Sequence, residues 1–184
     1  MSVKPFYNYK SKVEPLRAYV SHGLTFGLGR PSPGQGCIEA AVCAVLGIPH
    51  GDSPSCVSYI DRGLVVGLND APWSSNAARA EGLVDLGVAH LGSARMTKSK
   101  RLKWSIYIAE QGVKRIGGTA PSFDGLEDQS EWWAVEVSNW LVKTAREKAR
   151  AARSDEPLRE AARIVVEAYD LLQNPGFRRV LTHD

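Results

Sequence analysis

The sequence predicts a mainly α fold: a compact multi-helix bundle of about six helices with a short N-terminal β element, either a strand or a hairpin. Two observations predict the helices and a third predicts the β element. Four segments beyond residue 73 carry apolar residues at spacings of three and four over three or more turns, the period of a helix with one buried face. Two of these segments end on strong stops, Gly117-Gly118 and Asn174-Pro175-Gly176. Residues 16–28 alternate instead. Leu16, Ala18, Val20, His22, Leu24, Phe26 and Leu28 interleave with Arg17, Tyr19, Ser21, Gly23, Thr25 and Gly27, which is the period of a half-buried strand.

Residues 1–13 are polar with three aromatics and read as an arm whose docking the sequence leaves open. After the alternating run, residues 29–36 hold two prolines and three glycines, which excludes helix and regular strand. A helix then begins near Cys37. It is apolar nearly all round from Ile38 to Leu46 except at Glu39, as expected of a central core helix, and Gly47 and Pro49 stop it. Ser55 is the expected N-cap of a helix running through Ile60 and Leu64 to Asn69-Asp70, with strand the competing assignment for 64–68. Gly63 and Gly67, four apart, would let a neighbouring helix pack closely.

Four more helices follow. Ser74 or Ser75 caps the first, which carries Ala80, Leu83, Leu86 or Gly87, and Leu91. The second, Lys98 to Ile116, carries Leu102, Ile106, Ala109, Val113 and Ile116. The third, Glu131 to about Ala151, carries Trp133, Val137, Trp140, Leu141 and Thr144. The fourth, Leu158 to Leu172, carries Leu158, Ala161, Val165, Ala168 and Leu172, with Pro157 in its first turn. Residues 117–129 form a linker to this C-terminal helical hairpin. Two helices alone could not bury their apolar faces, so 1–184 reads as a single globular domain.

Composition limits the function classes. At 43% hydrophobic and 23% charged, the 184 residues match a folded globular chain rather than a disordered or fibrous one. No apolar stretch approaches the ~18–20 residues of a membrane span. Three cysteines and no apolar leader point to a reducing, cytoplasmic setting. A net charge of +3 permits an acidic partner without arguing for one.

The sharpest chemical feature is Cys37 at the start of a helix, after a glycine-containing loop. Helix N-termini favour the thiolate, and glycine amides could converge on an oxyanion. Gln35-Gly36-Cys37 looks faintly like the arrangement in papain-like enzymes. His50, His22 and His90 are the candidate bases. With Asp52 two residues from His50, Cys37/His50/Asp52 would make a triad. The competing reading is a small apolar residue opening a buried helix, and the chemical reading is the minority one. Cys37, Glu39, His50, Asp52 and Cys56 could supply metal ligands, but no pair has the two- to four-residue spacing of structural zinc sites, so no metal or cofactor is assigned. The glycines fit neither the dinucleotide nor the P-loop pattern.

Two basic stretches bear on partners. Arg95, Lys98, Lys100, Arg101 and Lys103, beside Trp104 and nearly free of acids, form the better nucleic-acid candidate. Lys143, Arg146, Lys148, Arg150 and Arg153 are diluted by Glu147, Asp155, Glu156 and Glu160 and read as a salt-bridged, solvated face. Trp132 falls off the stripe of its helix and marks a candidate interface.

One resemblance rests on particular residues. Cys37-Ile38-Glu39-Ala40-Ala41, then Gly47, Pro49, Asp52, Pro54 and Cys56, closing on Asn69-Asp70, resembles a family of short, uncharacterised bacterial and phage proteins over about residues 37–92. The resemblance implies a prokaryotic or phage origin and no particular activity. The leading expectation is a non-catalytic helical interaction or regulatory protein with a protein partner. The alternatives are a Cys37-dependent hydrolase or transferase, and a nucleic-acid-binding protein using 95–103.

Overall fold

Seven α-helices carry the fold in a computed structural model that describes residues 3–122 and 130–173. They are α1 (Val13–Val20), α2 (Ile38–Leu46), α3 (Tyr59–Asn69), α4 (Asn76–Ala89), α5 (Lys98–Arg115), α6 (Ser130–Ala152) and α7 (Glu156–Gln173). Two 3-10 turns, at Lys10–Lys12 and Ser93–Arg95, supplement them. No helix among the described residues is long and apolar enough to cross a membrane.

The β element is corrected. Residues 13–20 are helical, and among the described residues the only β pairing is an isolated antiparallel bridge between Gly29 and Gly36. The buried members of the alternating run are Leu16, Val20 and Leu24, four apart. That spacing satisfies a helical period as well as a period of two, while Ala18, His22, Phe26 and Leu28 are exposed. Pro15 does not oppose the helix, because first-turn amides have no intrahelical acceptor.

Four helices begin on a side chain that accepts an orphan amide three residues on: Cys37 from Ala40, Ser58 from Asp61, Ser75 from Ala78 and Thr97 from Lys100. The cap of α3 is therefore Ser58, not Ser55. Ser58-Tyr59-Ile60-Asp61 is a capping-box pattern, with Asp61 Oδ2 accepting from Ser58 Oγ at 2.5 Å. Residues 64–68 are helix. Gly47, in the left-handed region at φ 72°, ends α2 with amides donated back to Ala44 and Cys43.

The buried face of α5 also differs from the expected stripe. Arg101, Trp104, Ser105, Ile108, Ala109 and Gly112 face inward, and Val113 is 42% exposed. The true face contains an arginine, a serine and a glycine, so hydrophobicity alone selects its neighbour.

Helices α5, α6 and α7 pack on one another, α6 also lies on α3, and α7 lies on α4. The C-terminal hairpin is thus built into the body, and one hydrophobic cluster runs from Val3 to Tyr169. The expected linker is described only over residues 117–122; residues 123–129 lie outside the described set. The N-terminal arm docks: Phe6 and Tyr7 donate amides to Ala89 and Leu91, and the Phe6 ring sits 5.7 Å from that of Tyr169.

Candidate functional site

Cys37, His50 and Asp52 come from the two ends of α2, and the structure binds each separately. Cys37 is the N-cap, 3% exposed, with Sγ accepting from the Ala40 amide at 3.4 Å. Burial pushes its thiol up to about 11; this outweighs the amides of Ala40 and Glu39, which lower it, and the charges of Glu39 and Asp70 add to the rise. The expected lowering at a helix N-terminus is therefore reversed. The same cause, burial first, raises Cys43 and Cys56. His50 Nε2 lies 3.2 Å from the Gly29 carbonyl, and Asp52 accepts from the Ser53 hydroxyl at 2.9 Å.

The glycine loop is closed on itself. Gly27 donates to Asp70 Oδ1 at 2.8 Å, Thr25 to the Gly36 carbonyl, Arg30 to Gln35, and Cys37 to Leu28. Asn69 is the hub: its Oδ1 accepts from Ile38 at the start of α2, and its amide donates to the Thr25 carbonyl and to Asp70. Arg79, itself buried, donates to the carbonyls of Leu24 and Asn69. The amides of Gly27, Ile38 and Ala40 are thus engaged by Asp70, Asn69 and the thiol. The glycines have a steric cause. A Cβ at Gly29, where φ is +67°, would stand 1.9 Å from the Gln35 oxygen, and one at Gly34 would stand 2.5 Å from that of His22. Phe26 and Leu28 project outward from this closed frame, 67% and 41% exposed.

Behind the loop lie two buried ion pairs. Glu39 and His90 are fully buried, with both carboxylate oxygens 3.2 Å from His90 Nε2 and His90 Nδ1 2.9 Å from the Leu86 carbonyl. Both ring nitrogens face acceptors, which suits an imidazolium. Burial pulls the His90 pKa down, but the Glu39 carboxylate, its hydrogen bond and the Asp61 charge together leave it raised. Asp61, 1% exposed, accepts from Arg101 Nη1 at 2.7 Å and from Ser58. The Tyr169 hydroxyl lies beside this pair without a hydrogen bond of ordinary geometry, and its pKa is raised well above the usual value, chiefly by burial.

The basic cluster at 95–103 is partly internal. Arg101 is buried against Asp61, Arg95 lies over the Tyr7 ring at 4.5 Å, and Lys100 is 5.5 Å from the Phe6 ring. Arg101 is thereby removed from any phosphate-facing surface, while Arg95, Lys98 and Lys100 remain exposed and Lys103 is half-buried.

No family model, curated protein or solved structure matches this chain.

The chemistry therefore has to be read from the residues themselves. Cys37, Glu39, Cys56, Asn69 and Asp70, spread over 34 positions of the sequence, belong to one neighbourhood: Glu39 raises the pKa of Cys37 and Cys56, and Asn69 and Asp70 clasp the loop. Among the described residues, no three His, Cys, Asp or Glu side chains converge to hold a metal ion. A closed thiol and internally paired charges make a rigid platform. Sequence reasoning missed Asn69 as the hub and Asp61 as the partner of Arg101. The capping-box spacing at Ser58 was the available signal for Asp61.

Proposed function

We propose that this chain is a non-catalytic binding protein of bacterial or phage origin, acting in a reducing compartment on a protein partner gripped by Phe26 and Leu28. The observation that carries the reading is the exposure of these two apolar side chains on a backbone fixed by hydrogen bonds. Residues 24–30 are held by hydrogen bonds donated by Asn69 and Arg79 and by bonds they donate to Asp70 and to the facing carbonyls of Gln35 and Gly36. A pre-ordered apolar pair loses little entropy on binding, and covering the exposed fraction of the two side chains contributes roughly 1.5–3 kcal/mol for the pair. The buried thiol of Cys37 supports the binding reading over the hydrolytic one, and three free thiols fit a reducing compartment.

The test compares partner capture by the wild-type chain, a Phe26→Ser/Leu28→Ser variant and a Tyr59→Ser control, since Tyr59 is also exposed, at 60%. The expected result is one partner retained by wild type and control and lost by the loop variant, all three unfolding at the same temperature. Equal capture by the loop variant, or ester or peptide turnover abolished by Cys37→Ala, would overturn the reading.

A further inference from the structure

Three of the four acids that dilute the second basic stretch in the sequence, Asp155, Glu156 and Glu160, are engaged elsewhere in the fold. Arg163 pairs with Glu156 and Glu160, Arg115 with Glu160 and Glu167, and Asp155 accepts from the Ser74 amide and hydroxyl. Lys143, Arg146 and Arg150 on α6 have no ion-pair partner among the described residues. Spaced by three and four, they share one side of the helix over about 10 Å. That side lines an open groove of about 470 Å³ between α6 and α3. Gly67 lets α3 approach α6, where a Cβ would meet Val142 at 2.9 Å, and Gly63 has nothing within 4 Å and leaves main chain as part of the groove wall. Arg146 is oriented by the Asp70 carbonyl at 2.9 Å, a contact that leaves its charge uncompensated. Glu147 is the single carboxylate of the lining, against three cations.

We infer that this groove binds the phosphodiester backbone of a nucleic acid. Three like charges in a row, with Val142 as the one hydrophobic side chain of the lining, suit a regularly charged strand. An acidic protein surface would call for an apolar, charge-depleted centre, which the groove lacks. The contacts are to phosphate, so the binding is tolerant of base sequence. The inference is independent of Phe26 and Leu28.

The experiment measures anisotropy of a labelled oligothymidylate and a labelled duplex against salt. Three phosphate contacts predict that affinity falls by roughly 20- to 40-fold between about 50 and 200 mM salt, the smaller value for the single strand. Lys143→Gln and Arg150→Gln, both at exposed positions, should each weaken binding and flatten the logarithmic salt slope by about 0.7–0.9. Glu147→Gln should tighten binding, a gain that a purely structural role would not give, and Lys98→Gln should leave it unchanged. No binding to either probe at low salt, binding indifferent to Lys143→Gln and Arg150→Gln, or displacement by polyglutamate as efficient as by unlabelled nucleic acid would overturn the inference.

Discussion

The thiol of Cys37 stands where helix-end amides ordinarily favour ionisation, and two such amides do point at it. Desolvation at 3% exposure outweighs them. With the thiol raised from 9.0 to about 11, its thiolate fraction at neutral pH is roughly 100-fold smaller. Iodoacetamide should therefore label native Cys37 at least ~100-fold more slowly than the same residue in denaturant. Mass spectrometry of the alkylated peptides reads this directly, and fast, stoichiometric native labelling would restore the nucleophile. Position at a helix start was legible in the sequence, and a cysteine opening a buried helix was the favoured reading; what closes over it, Asn69 and the loop, was not. Glu39 was equally visible as the lone charge in an apolar helix. Its partner, His90, lies 51 residues away, and no local pattern connects them.

At the scale of elements, capping and stop signals located most helices, since those are local chemistry: Ser75, Gly47 and Gly117-Gly118 all act within a turn. What failed were the face of α5, the cap of α3 and the β element, where a spacing of four was ambiguous or a polar residue occupied the core. Arg101 is the instructive case, because it is buried on α5 only by virtue of Asp61 on α3. Removing it should leave a carboxylate unpaired at 1% exposure. Arg101→Met should then cost about 3–5 kcal/mol in urea unfolding, and Asp61→Leu with Arg101→Met should recover much of that loss. A single-variant loss below about 1 kcal/mol would mean that the pair does not join the two helices as described.

At the scale of the molecule, the two buried pairs tie α2 to the end of α4 and α3 to α5, and the same body carries the apolar loop and the basic groove. The loop and the groove meet at Asp70, whose carboxylate takes Gly27 and whose carbonyl takes Arg146. Such a platform should carry a pH signature from His90. Its folded pKa is raised above the unfolded value of ~6.5, with Glu39 and Asp61 the acids facing it. The folded state therefore holds the proton more tightly than the unfolded chain. The stability this contributes is fully present below ~6.5 and is lost as pH rises through the folded pKa. Urea unfolding of the wild type and of a Glu39→Gln/His90→Gln variant, compared from pH 6 to 8, should show the wild-type advantage shrinking as pH rises. The window stops at pH 8 because the buried thiols, also raised, remove further stability once the unfolded chain's cysteines ionise near ~8.5. An advantage that grows with pH would mean that burial wins over Glu39 and that His90 is neutral in the fold. The pair would then be a hydrogen bond to a neutral ring rather than an ion pair.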